Sequence, residues 1–143
     1  MAKSQASRTD GGTSRRSASK KGSKLPKALV AAVSAVQDKQ ARDVVALDLR
    51  TAGGFTDFFL ICTGQNSRHI ATIVDAVQKR LREDFDERPA LAEGSKNSEW
   101  ILLDYFNFVV HVFSPDLRTF YALERLWGSA ERLEFHEERP AAR

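Results

Sequence analysis

The stretch SEWILLDYFNFVVHVF, residues 98–113, sets Trp100, Asp104, Tyr105 and His111 among side chains that otherwise read as core. Two chemistries fit those residue types. Asp104 and His111 could form an acid/base dyad, while Trp and Tyr beside an acid are the types that dominate protein-recognition surfaces. A two-residue turn at Phe106-Asn107 would pair Asp104 with Val109, Leu103 with Val110 and Leu102 with His111. In that register Asp104 and His111 share a face but sit diagonally, about 7–8 Å apart at the backbone, too far to favour a dyad. The face carries Trp100, Leu102, Asp104, Val109, His111 and Phe113; its opposite carries Ile101, Leu103, Tyr105, Phe108, Val110 and Val112.

Other chemistry is thinly supported. No G-x-S-x-G elbow supplies a nucleophile, and Ser98 and Ser114 fall at turn and cap positions. Cys62, the single cysteine, has no second thiolate for a zinc site, and His69, His111 and His136 are scattered, so neither metal nor cofactor is expected. Thr63-Gly64-Gln65-Asn66-Ser67 joins a strand to a helix, where backbone N–H groups often hold phosphate. It lacks both the P-loop and the G-x-G-x-x-G pattern, and an ordinary helix cap explains it better. An enzyme handling a nucleotide or phosphate at Gly64 to Ser67 is nevertheless the alternative to a binding role. Arg68 and His69, in the first turn after that loop, are candidate secondary contacts together with His111.

The elements that must position these residues follow from periodicity. Leu25, Leu29, Ala32, Val33 and Val36 form the stripe of a first helix with Pro26 in its opening turn. DVVALDLR reads as a strand closed by Gly53-Gly54, and FTDFFLIC as an interior strand covered on both faces. Asn66 and Ser67 then cap the longest helix, whose stripe is Ile70, Ile73, Val74, Val77 and Leu81. A strand followed by a strong helix predicts a crossover and a partly parallel sheet. Arg88 to Gly94 reads as a short edge strand because of Pro89, and two strands flank Phe106-Asn107. Ser114-Pro115-Asp116 caps a last helix, LRTFYALERLW, ending at Gly128 and burying Phe120, Leu123 and Trp127. The result is one α/β domain with a mixed sheet of roughly five strands packed by about three helices.

With 143 residues, one core is affordable and two are not. Residues 1–24 contain seven Lys or Arg against Asp10 alone, no large apolar residue after Met1, and much Ser and Gly. They are expected to be a disordered basic tail able to screen phosphate. The remainder has 15 basic against 18 acidic residues, so the overall charge of +3 belongs to the tail. The domain is expected over 25–128, with residues 129–143 a flexible C-terminal tail. No apolar run is long enough to span a membrane and no signal pattern opens the chain, which points to an intracellular protein.

FTDFFLICTG, SRHI, AEG, EWILLDY, VVHVF and RTFYALERLW occur here in the order in which they occur in the ribosomal silencing factor family, also called Iojap-like. The likeness runs from about Leu25 to Trp127. It implies a fold similar to that of nucleotidyltransferases without their activity, which agrees with Asp48, Asp57 and Asp104 standing singly on three segments rather than as clustered carboxylates. It further implies a cytoplasmic protein, monomer or homodimer, that binds the fourteenth large-subunit ribosomal protein. There it would block small-subunit joining and lower translation when nutrients run short. The partner-binding strand of the family carries over as Trp100, Leu102, Asp104 and Tyr105. The family commonly has Gly-Asp where this chain has Phe106-Asn107, and Phe resists the positive φ that a primed turn prefers.

Overall fold

Pro26 opens the first described helix, α1 (Lys27–Asp38), as its N-cap, and the apolar stripe behind it is buried at Leu29, Ala32, Val33 and Val36. The structure, a computed structural model, describes residues 25–94 and 97–136. The expected disordered tail, residues 1–24, therefore lies outside the described residues. Next come β1 (Arg42–Asp48), β2 (Phe58–Thr63) and the 19-residue α2 (Ser67–Phe85). Then follow β3 (Leu91–Glu93), β4 (Trp100–Asp104), β5 (Phe108–Phe113), α3 (Pro115–Tyr121), α4 (Leu123–Leu126) and β6 (Glu131–Phe135). The caps of α2 follow from side-chain chemistry. Asn66 accepts the His69 N–H at its start, and Asp86 closes its end in the left-handed region at φ 55°.

The strands form one mixed sheet in the order β3-β4-β5-β2-β1-β6. β2 pairs with β5 in parallel, Phe59 opposite Val109 and Ile61 opposite His111, while every other described pairing is antiparallel. The apolar run of β2 lies inside the sheet and is buried along its whole length, as an interior strand should be. One sheet face packs on α1 and α2, joining Phe58, Leu60, Leu103, Phe108 and Val110 to Leu29, Val36, Ile73 and Leu81 in a single cluster. Each such side chain, fully withdrawn from water, contributes roughly 1.5–3 kcal/mol relative to exposure.

Three expectations need correction. The sheet has six strands rather than about five, because Glu131–Phe135, assigned above to a flexible tail, pairs antiparallel with β1 from Val44 opposite Phe135 to Asp48 opposite Glu131. Its charged residues disguise a period-2 pattern in which Leu133 and Phe135 are half-buried between exposed Arg132 and Glu134. The last helix is not continuous: Ala122, at φ 45°, ends α3 and starts α4. The break is held by Arg118, whose guanidinium binds Glu124 across it and also reaches the Asp43 carbonyl (2.7 Å) and Thr63 Oγ1 (2.9 Å). As a result Leu123 and Trp127 pack on the sheet, but Phe120 points away and is 74% exposed.

Candidate functional site

Along β4 the side chains alternate between the two faces of the sheet. Ile101 and Leu103 are buried beneath the helices, whereas Trp100, Leu102 and Asp104 are half-buried on the other side. The hairpin register is the one expected from a two-residue turn, with Leu102 opposite His111 and Asp104 opposite Val109. Helices α3 and α4 and the segment to Ala130 cover that second face over β1, β2 and β5, where Leu47, Phe59, Ile61 and Phe113 are buried. They reach β4 at Trp100, which Tyr121 of α3 touches, and leave β3 exposed and Leu102 and Asp104 only half-buried. A strip of apolar and acidic groups is left open beside an otherwise sealed sheet.

Trp100 anchors the strip. Its indole meets Phe113 (ring centroids 5.0 Å) and Tyr121 (4.7 Å) in a three-ring cluster, and its Nε1–H donates to His111 Nδ1 at 3.2 Å. The bond makes Nδ1 an acceptor and leaves the His111 proton on Nε2, which has no acceptor among the described residues. Burial pushes the His111 pKa down to about 4, so the ring is neutral near pH 7. Phe59, edge-on at 4.5 Å, and Phe113, nearly parallel to it, complete the surroundings. A neutral imidazole enclosed by aromatic rings is a support for Trp100 rather than an acid or base reaching a substrate. Asp104 is also committed elsewhere: its Oδ1 accepts the Phe106 N–H at 2.8 Å and caps the turn. The two groups do not meet.

Tyr105 belongs to the opposite face and is 5% exposed, stacked on Phe108 with the helix-side core. Its assignment to the contact surface is therefore corrected: period-2 alternation puts it behind Asp104, and burial raises its phenol to about 12. His69 is likewise structural. Nδ1 accepts the Gln65 N–H and Nε2 donates to the Lys39 carbonyl, stapling the start of α2 to the end of α1. Arg68, the residue before His69, is exposed. In the Gly64 to Ser67 loop the Gly64 N–H bonds Phe113 O and the Gln65 N–H bonds His69, while Asn66 takes the His69 N–H as a helix cap does. Gly64 is there for packing, since an added Cβ would meet Ile70 Cγ1 at 2.6 Å. Cys62 is buried, its thiol pushed up to about 12, and no group of three potential metal ligands occurs among the described residues.

The open strip has an aromatic rim that the sequence did not reveal. Leu91 of β3 is 47% exposed, Tyr121 43%, and at the turn end Phe55 and Phe106 reach 78% and 80%. Phe106 sits at φ 78°, inside a turn closed by Asn107 N–H to Tyr105 C=O at 2.9 Å. For a bulky L-residue that conformation costs roughly 1–3 kcal/mol. A phenylalanine where a primed turn prefers glycine was the available signal; its exposure was not readable.

The family model described as "Ribosomal silencing factor during starvation" matches residues 22–143. A curated ribosomal silencing factor from Halalkalibacterium halodurans is 42% identical over 103 residues, covering 72% of this chain and 87% of its own. Its Bacillus subtilis counterpart is 37% identical, with 69% and 83% covered. A mouse protein named for mitochondrial assembly of the ribosomal large subunit is 30% identical, matching 66% of this chain and 42% of its own length. Among solved structures, one from Bacillus halodurans superposes with TM-score 0.65 at 37% identity, covering 75% of this chain and 96% of that one. Another from Chromobacterium violaceum superposes at 0.69 and 26% identity, covering 82% and 98%.

Proposed function

Because the chain belongs to the ribosomal silencing factor family, we propose that it docks through the open strip of its sheet onto the large ribosomal subunit and keeps the small subunit from joining. The partner is the fourteenth large-subunit ribosomal protein, on the face that the two subunits share. Translation falls because ground is occupied, so no turnover is needed and no cofactor enters. Nutrient limitation is the condition under which such a brake is useful, and the cytoplasm is where it acts.

The observation that carries this reading is the unequal covering of β4. Trp100 and Leu102 present apolar surface next to the Asp104 carboxylate, with Leu91 and Tyr121 at the margins. Trp and Tyr anchors supply most of the affinity of typical protein interfaces, and charged margins give orientation. An interface of about 1,200–2,000 Å² in total is enough for specific binding and large enough to obstruct a second subunit. The mouse relative's name points to the same half of the ribosome. Residues 1–24, with their surplus of six positive charges, add nonspecific attraction to ribosomal RNA.

Subunit reassociation followed on sucrose gradients tests the proposal. Wild type lowers the yield of joined ribosomes, and Trp100→Ala restores it while the domain remains folded by circular dichroism. Unchanged joining in the presence of excess wild-type protein contradicts the reading.

A further inference from the structure

The hairpin tip presents an aromatic group at a cost that the fold does not recover. Phe106 occupies φ 78°, a region natural to glycine, and its ring is 80% in water. Five hydrogen bonds keep the tip in place. The Phe106 N–H donates to Asp104, Tyr105 N–H to Phe108 O, and Asn107 N–H to Tyr105 O. Thr56 Oγ1 donates to Phe106 O (3.0 Å) and Asp57 N–H to Asn107 O (3.2 Å). All but the Asp104 and Thr56 bonds are purely backbone bonds, and none of the five uses the Phe106 side chain. Glycine would satisfy all five with less strain, so nothing in the isolated domain explains the phenyl group.

The neighbouring loop repeats the pattern. Phe55 precedes Thr56, is 78% exposed, and meets Phe59 of the second face edge-on at 6.0 Å. Through Asp104, whose side chain lies in the open strip and also caps the turn, the tip is continuous with the Trp100 surface. The Asp104 carboxylate caps the tip, and exposed Asp57, in the charge field of Arg50, adjoins it through its backbone, which disfavours a nucleic-acid backbone and favours a basic protein rim.

We propose that Phe106, with Phe55 beside it, is a second anchor of the ribosomal interface, entering an apolar recess bordered by Lys or Arg on the ribosomal protein that covers Trp100. This inference rests on the docking surface proposed above. It makes Phe106 a specificity-determining residue: the turn is strained so that a ring stands beyond the sheet, where a flat contact with β4 alone would not reach.

Cosedimentation with purified large subunits tests it, using wild type, Trp100→Ala, Phe55→Ala and Phe106→Gly, with melting temperatures measured alongside. Phe106→Gly is expected to melt above wild type, because strain is relieved, and yet to bind at least about tenfold more weakly. Phe55→Ala weakens binding without disturbing the turn. Phe106→Gly and Phe55→Ala binding like wild type, while Trp100→Ala is impaired, overturn the second anchor and leave the docking surface standing. Failure of wild type to bind overturns both. A lower melting temperature for Phe106→Gly shows the ring to be structural and also overturns the anchor. So does loss of self-association by sedimentation equilibrium with subunit binding intact, which would assign the tip to a second copy of the chain.

Discussion

The two faces of the sheet differ in what closes them. Toward α1 and α2, Leu60, Val110, Ile73 and Leu81 have no measurable exposure, and the helices lie directly on the strands. On the other side α3 and α4 have no buried residue of their own, and their cover reaches β4 at Trp100, through Tyr121, leaving Leu102 and Asp104 half-buried. Stability is therefore concentrated on one face, and surface available for recognition on the other. β4 belongs to both at once, so adjacent residues of one strand should respond differently to the same truncation.

Leu103 and Leu102 provide the sharpest contrast. Leu103→Ala, which empties a site 1% exposed beneath the helices, should cost about 2–5 kcal/mol in denaturant unfolding. Leu102→Ala, half-buried on the open side, should cost about 1 kcal/mol and act chiefly on subunit binding. Equal losses of stability would break the contrast between faces.

His111 gives the open side its own pH signature. In the unfolded chain its imidazole titrates near 6.5, whereas burial holds the folded group near 4. Between those values the unfolded state binds the extra proton, so stability is complete above about pH 6.5 and falls as pH drops toward 4. The contribution is about 3 kcal/mol at full protonation. Denaturant unfolding of wild type and His111→Gln should show it as a difference in slope confined to that window, and parallel pH profiles would contradict it. Arg118→Ala should cost about 1–3 kcal/mol, because it frees the break between α3 and α4 and leaves Glu124, 17% exposed, without its cation. Glu124 now ionises below its usual range; burial opposes that, and the Arg118 hydrogen bond and charge outweigh it. The smallest expected effect belongs to the basic arm: deleting residues 1–24 should weaken subunit binding mainly at low salt and flatten its salt dependence.

The contrast between faces was largely legible in the sequence, because a two-residue turn and period-2 alternation leave only one register for Trp100 to Phe113. The same alternation separates Tyr105 from Trp100, which the family resemblance assigned together to the partner-binding strand. What could not be read depends on contacts distant along the chain. Nothing local marks Ala122 as a left-handed break; its cause is Arg118 reaching Thr63 and the Asp43 carbonyl, 55 and 75 residues away. Glu131 and Glu134 resemble a solvated tail until β1 is there to pair with them. The exposure of Phe120 follows from that break, since a continuous helix would have kept it in line with Leu123 and Trp127.

The central claim, that the open strip beside β4 is the docking surface, is tested most directly by cosedimentation of large ribosomal subunits with wild type and Leu102→Arg. A cation at this half-buried position leaves the helix-side core intact and places charge in the middle of the strip. Wild type should pellet with the subunits, and Leu102→Arg should remain in the supernatant while its melting temperature stays close to that of wild type. Equal pelleting of the two proteins would contradict the account.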